Sequence, residues 1–446
     1  MDQKNKKLST QSYKGARDFY PEDMRARNYI FETWKKVCRM YGFEEYDFPI
    51  LEPFEIFAAK TGEEIVKDQL YSFEDKGGRK LAIRPELTPG TVRMIAQKYK
   101  ELAQPIKWFM IGNNWRFEKP QLGRGREFYQ LEVNIFGEKS VTADFEIFSI
   151  IIDTMTAFGA NQEQFALLLS DRRLISALLN NTLKLDEEKQ EKVRRLMDKR
   201  SKMENDEFLA SLKELGLDNA QCIKVENFMN SSLESLSSVI PQDILNENEG
   251  YKSIKELFGM LKASDLGVYC RFNPSIIRGF DYSDGLVYEV FDKNPKNSRS
   301  IFGGERFDKL INIFGDFDLP ATGFAMGDYT LLEFLKNWNL LPEFDKEIKY
   351  FITVWPQENS DSNNSKYFEY SQQIAKKLRE KGENCLVWLD KNAKIDKQLR
   401  YADKKGIPYS IIAGEQELNN STIIIKNMQT QIQETKSLED FFNTLY

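Results

Sequence analysis

The last hundred residues place the strictest limit on the fold. YFITVWP, CLVWLD and YSIIAG are apolar runs of strand length, and between them YFEYSQQIAKKLREKG and KIDKQLRYADKKG carry helical spacing. Strands alternating with helices of about ten to fifteen residues build a small α/β domain on a mostly parallel sheet. A further apolar run, STIIIKN, follows. A chain of 446 residues is too long for one hydrophobic core to organise, so two or three domains are expected, this one spanning 346–446.

Upstream the rhythm changes. RNYIFETWKKVCRMY spaces Ile30, Trp34, Val37 and Met40 as one face of a helix, which Gly42 ends. FEEYDFPILEP is extended, because Pro49 and Pro53 push Phe48 and Glu52 toward β geometry. IKWFMIGNNWRFE and EFYQLEVNIFGE are rich in β-formers and flank KPQLGRGR, which predicts two strands joined by a basic, glycine-containing loop. From Leu174 to about Met260 the chain is charge-dense and helix-favouring, which predicts a separate helical subdomain. Strand character returns in GVYCRF, GLVYEVFD and RSIFGG. GFAMGDYTLLEF then reads as a strand running into a helix, with an exit at Pro342.

Composition removes whole classes of chemistry. The chain has no histidine, so a Ser/His/Asp or Cys/His nucleophile pair, a His-ligated zinc and an imidazole proton shuttle are all excluded. Cys38, Cys222, Cys270 and Cys385 stand singly, as buried small apolar residues in a reducing compartment, so no metal held by His or Cys is expected. No apolar run is long enough to cross a bilayer, and MDQKNKKLSTQ lacks the apolar centre of a secretory signal, so a cytoplasmic chain is expected. With 63 Lys+Arg against 69 Asp+Glu the net charge is −6, which leaves only local patches to meet nucleic acid. One such patch lies at 391–405, where six basic residues face two acidic ones; a solvated helix face is the commoner explanation for such a run and a phosphate-contacting surface the sharper one.

Four segments carry candidate chemistry. Arg116, Glu118, Lys119, Arg124 and Arg126 cluster with Gly123 and Gly125, a set suited to polyphosphate or to an ordinary exposed hairpin. In IRPELTPG, beside Arg84, Glu86 and Thr88 stand two apart on an extended chain and share a face that can hold an ammonium, or else form a surface turn. RGFDYSDG sets Arg278 and Asp281 beside a glycine, and FGGERFD does the same for Arg306; singly, such glycines usually mark turns.

In chain order, SYKGARDFYPED, IRPELTPGTVR, WRFEKPQLGRGREFYQLEVNIFG, IIRGFDYSDGLVYE with GGERFD, and KQLRYADKKGIPYSIIAGE resemble the class II aminoacyl-tRNA synthetases. Within that class they resemble the histidyl-tRNA synthetase family over almost the whole length. The resemblance implies an α+β fold: a catalytic domain at 1–340 with an antiparallel sheet and flanking helices, a helical insertion at about 174–262, and a C-terminal α/β anticodon-binding domain. It implies a homodimer, and histidine, ATP with Mg²⁺ and tRNA as reactants. Arg116 would bridge the substrate carboxylate and the α-phosphate, with Arg278 the main catalytic residue at that phosphate. Glu118 and Phe128 would hold the adenine, and Arg124 and Arg126 the outer phosphates. Glu86, Thr88 and Gln130 would hold the α-ammonium. Asn134, Tyr282, Ser283 and Phe307 would surround the imidazole.

The chain departs from the family pattern at several of these places. Tyr329 and Thr330 replace the usual Glu and Arg of the third class motif, Asn134 replaces a carboxylate, and Ser283 and Phe307 replace tyrosines. The leading expectation is an ATP-dependent histidine–tRNA ligase. A non-catalytic tRNA- or histidine-sensing relative and a ligase for another amino acid stand beside it.

Overall fold

The computed structural model describes residues 8–59, 65–121, 123–200, 203–277, 283–297, 300–344, 347–356 and 366–445. The chain divides into two units, Met1–Pro342 and Glu343–Tyr446.

In the first unit the described strands are β1 (Glu44–Glu45), β2 (Leu51–Pro53), β3 (Ser72–Glu74), β4 (Lys80–Ile83), β5 (Ile106–Trp115) and β6 (Glu127–Phe136). They continue with β7 (Phe165–Asp171), β8 (Cys270–Phe272), β9 (Leu286–Asp292), β10 (Ser300–Arg306) and β11 (Ala321–Gly327). β2, β4 and β3 make a small antiparallel sheet. The others form one sheet in the order β1-β5-β6-β11-β10-β9-β7-β8, antiparallel through its centre, with parallel pairs only at its edges, β1 on β5 and β8 on β7.

The long hairpin expected from sequence is its spine: β5 and β6 pair from Ile106 opposite Phe136 to Trp115 opposite Glu127. Phe109, Leu131, Val133 and Ile135 enter the core. Trp34 and Val37 of helix Pro21–Met40 and Ile147 and Ile151 of helix Val141–Ala157 join them there.

The segment between β7 and β8 is helical, but it is not a body with its own core. Val193, Phe208, Val225 and Leu257 belong to the same continuous apolar cluster as the sheet. Helix Glu187–Asp198 buries only Val193 and Met197. Narrow apolar stripes of this kind cannot bury one another completely, so they complete the core of the sheet. Asn248 ties the insertion down: its side chain accepts from the Tyr251 N–H (2.9 Å), capping helix Glu249–Ala263, and donates to the Arg173 carbonyl (3.0 Å).

The second unit has β12 (Tyr350–Ile352), β13 (Cys385–Val387), β14 (Tyr409–Ile412), β15 (Thr422–Asn427) and β16 (Gln433–Ser437), in the order β13-β12-β14-β15-β16. The mostly parallel sheet expected from sequence holds for β13, β12 and β14; β15 and β16 run antiparallel. The loop between β15 and β16 is too short for a parallel crossover, and Asn427 closes it by accepting from the Gln429 and Thr430 N–H groups (both 3.0 Å). Helix Ile395–Lys405 buries Gln398, which spans the Val354 backbone as acceptor and donor (2.8 and 2.7 Å), and leaves all six basic residues of 391–405 exposed. Among the described residues, no helix is long and apolar enough to cross a membrane.

Candidate active site

A cavity of about 140 Å³ opens on one face of the large sheet. Gln130, Glu132 and Asn134 alternate along β6 and share that face, as the period of a strand requires. Gly323 and Ala325 of β11 lie beside them, then Gly303 and Glu305 of β10, with Phe307 just beyond. Asn134, Gly323 and Glu305 form one cross-strand row. Gly323 cannot be anything larger, since a Cβ there would stand 1.9 Å from Asn134 Oδ1. Gly304 is equally constrained: the Tyr288 hydroxyl passes beneath it to donate to the Gly323 carbonyl (2.7 Å).

Glu86 and Thr88 line the same cavity, but not as an extended pair. Thr88 opens helix Thr88–Lys98, whose first turn accepts Pro89 because the N–H groups there need no intrahelical partner. Arg84 does not reach the site; it is buried and ties the Phe48 and Asn113 carbonyls together (2.8 Å each).

Glu132, which sequence reasoning passed over, is the most perturbed group here. It is 1% exposed, and its Oε1 accepts from Asn134 Nδ2 at 2.6 Å. Its Oε2 is buried and accepts no hydrogen bond. Burial pushes its carboxyl up to about 8, the charge of Glu86 adds to this, and hydrogen bonding from Asn134, and more weakly from Thr88 and Thr91, opposes it. Glu305 was missed as well, although it alternates with Gly303 and Phe307. Period-two reading of β6 from Gln130, and of β10 from Phe307, was the available signal for both.

Arg116 stands at the cavity rim, its Nε donating to the Pro85 carbonyl (2.9 Å) and its guanidinium 5.3 Å from the Phe128 ring centre. Gln130 Oε1 accepts from Asn114 Nδ2 (3.0 Å), which fixes its amide. Farther out the β5–β6 loop pairs with itself and with the N-terminal segment. Arg124 meets Glu118 at 3.4 Å, and Arg126 donates to the Glu118 carbonyl (3.1 Å) and the Tyr13 hydroxyl (2.6 Å).

Not every expected residue lies in the cavity. Arg278, Asp281 and Tyr282 fall outside the described residues. Ser283 is buried and its carbonyl accepts from Arg172 (2.6 Å), but it is not among the described residues that line the cavity. Arg306, next to Glu305, projects from the other face of β10. There it meets Asp144 at 2.8 Å and Asp308 at 3.3 Å, and donates to the Glu138 and Ser140 carbonyls (3.3 Å each). Burial disfavours its charge, but Asp144 and Asp308 outweigh that and hold the guanidinium above its ordinary pKa.

At the third-motif segment, Thr330 turns its hydroxyl onto the Ile301 carbonyl (2.6 Å). A guanidinium nevertheless reaches this helix start from far away in sequence: Arg17 pairs with Asp328 at 2.6 Å and lies 3.5 Å over the Tyr329 ring. Asp328 in turn accepts from the Tyr129 N–H of β6 (3.0 Å). Among the described residues, no three His, Cys, Asp or Glu side chains gather as a metal site.

Comparison with known proteins agrees with this architecture. The family model for histidyl-tRNA synthetase matches residues 15–330, and that for an anticodon binding domain matches 353–446. The histidine–tRNA ligase of Leptospira biflexa is 41% identical over 98% of this chain and 97% of its own length. That of Haloarcula marismortui is 38% identical over 96% of each. The crystal structure of histidyl-tRNA synthetase from Nostoc sp. PCC 7120 matches with a TM-score of 0.80 at 19% identity, covering 98% of this chain and 99% of that one, a likeness of fold. The synthetase model covers most of the first unit and the relatives span both units, so the chain belongs to the histidyl-tRNA synthetase family.

Proposed function

We propose that this chain is a histidine–tRNA ligase. The histidine carboxylate attacks the α-phosphorus of ATP, pyrophosphate leaves, and the histidyl group then passes from the adenylate to a hydroxyl of the terminal ribose of tRNA. Such in-line displacement needs positioning and neutralisation of charge, not a side-chain imidazole, so a histidine-free chain forgoes nothing. The observation that carries the reading is the convergence of Glu86, Thr88, Gln130 and Arg116 on one cavity floored by the central strands, in a chain of this family.

Within it, Glu86, Thr88 and Gln130 receive the α-ammonium. Arg116 bridges the carboxylate and the α-phosphate with its planar fork of donors, and Arg278 joins it at that phosphate. The adenine lies on Phe128 with its amino group toward Glu118. Arg124 and Arg126 turn from their present partners to the outer phosphates, which bring Mg²⁺ with them. Arg17 supplies the positive charge that Thr330 lacks beside the third-motif helix. Residues 353–446 read the anticodon, and the chain works as a cytoplasmic homodimer.

The sensing alternative finds its observation at Thr330, but the matched anticodon-type domain and the intact Arg116–Phe128 pair favour catalysis. Histidine-dependent exchange between pyrophosphate and ATP in the presence of Mg²⁺ tests the reading. Exchange with histidine and no other amino acid is expected; no exchange with any amino acid removes it.

A further inference from the structure

We propose that Glu132, and not Asn134, accepts the imidazole N–H of bound histidine, with Asn134 acting as the positioning residue that holds Glu132 in place. This rests on histidine being the substrate.

Three observations carry it. First, Asn134 is already committed. Its NH₂ donates to Glu132 Oε1 (2.6 Å), and its Oδ1 is thereby turned over Gly323, against the floor. Second, Glu132 has the complementary vacancy: the residue lines the cavity, and its Oε2 is buried and accepts no hydrogen bond. A buried carboxylate oxygen without a donor is costly, and a ligand N–H removes that cost. Third, Glu132 stands between Gln130 and Asn134 on one strand face, so the reading carboxylate has moved a single pleat along β6 while staying on the same wall. Thr91 braces it from the far side, its hydroxyl 3.4 Å from Oε1. The charged and titratable groups facing Glu132 are Glu86, Arg84 and Tyr46, with Arg116 and Glu305 across the cavity.

The test is Glu132→Gln, read by histidine-dependent pyrophosphate exchange above pH 8, where the wild-type carboxyl is ionised and the change is an isosteric loss of charge, after the wild type has been measured. The KM for histidine should rise roughly tenfold or more while that for ATP stays within about twofold, as expected for losing a charge-assisted hydrogen bond to one substrate only. Wild-type preference for histidine over its ring-N-methylated derivatives should shrink in the variant, a change that a purely structural role does not produce. If E132Q does not fold, Glu132→Asp keeps the charge but retracts it by one methylene, and the same split between the two KM values is required of it. An unchanged histidine KM and unchanged discrimination in E132Q, with both lost in Asn134→Ala, overturns the proposal. Absence of exchange in the wild type refutes the functional reading instead, so the two failures are distinct.

Discussion

Two buried charge clusters occupy the central sheet and are built in opposite ways. Around Arg306 (5% exposed) the charge is paired: two carboxylates and two carbonyls take up donors of its two terminal nitrogens, although the second oxygen of Asp144 is itself buried without a hydrogen bond. Around Glu132 (1% exposed) one oxygen is answered and the other is not, and the charge that acts on it most, Glu86, has the same sign. Nearly equal burial therefore means scaffold in one place and site in the other. The difference is charge pairing: Asp144 faces a guanidinium inside the fold, whereas Glu132 faces another carboxylate on a cavity wall, where an arriving donor can answer it.

The largest expected effect breaks the closed cluster. Asp144→Ala leaves Arg306 buried and short of its main partner, and should destabilise the first unit by about 3–5 kcal/mol, measured by denaturant unfolding. Replacing both partners at once, Asp144→Leu with Arg306→Met, should recover most of that loss, because no buried charge is then unpaired. If the single and double variants are equally destabilised, the cluster is not held together by its pairing.

The open cluster should behave in the reverse sense. A carboxyl whose folded value is about 8, against an ordinary 4.5, keeps its proton in the folded chain where the unfolded chain has lost it. Below about pH 4.5 both states are protonated and Glu132 costs nothing; as pH rises toward 8 the unfolded state is increasingly favoured, and the full penalty stands above that. Glu132→Gln cannot titrate. At pH 8 it should therefore be more stable than the wild type, because the buried charge is gone although the unpartnered polar atom remains, with the gain vanishing near pH 4.5. Saturating histidine should narrow the gap at pH 8 by stabilising the wild type more than the variant. A variant less stable than the wild type at pH 8 contradicts the contrast between the clusters.

What was legible in the sequence follows the same division between local and distant causes. The β5–β6 hairpin could be read because its signal is local, two runs rich in β-formers, each ten residues as paired, on either side of one glycine-containing loop. β16 could not: QETKS has no apolar side to declare itself and pairs only because β15 and a short turn deliver it. The insertion read correctly as helical and wrongly as separate, since sequence shows an apolar stripe but not what it packs against. In the site, pattern-matching fixed attention on Asn134 as a changed residue, while the compensating carboxylate two positions earlier was visible to strand periodicity alone. Arg306, marked by its glycines, proved structural. Arg17 was invisible as a partner of Asp328 because 311 residues separate them.

The smallest effect belongs to a third kind of charge, the exposed one. Arg124 and Glu118 pair at 3.4 Å with the arginine 60% exposed. Solvent screening and side-chain entropy leave such a pair worth about 0–1 kcal/mol. Arg124→Ala should accordingly leave the unfolding midpoint within error, yet raise the KM for ATP several-fold in the exchange assay, because an arginine held so weakly is free to exchange its carboxylate for a phosphate at little cost. Arg126 sets the control. It is bound to Tyr13 and to the Glu118 carbonyl and lies 4.1 Å over the Phe117 ring, so Arg126→Ala should lower stability measurably as well as weaken ATP. If Arg124→Ala proves the more destabilising of the two, pairing does not separate scaffold from site in this loop, and the distinction drawn between the buried clusters stops at the edge of the sheet.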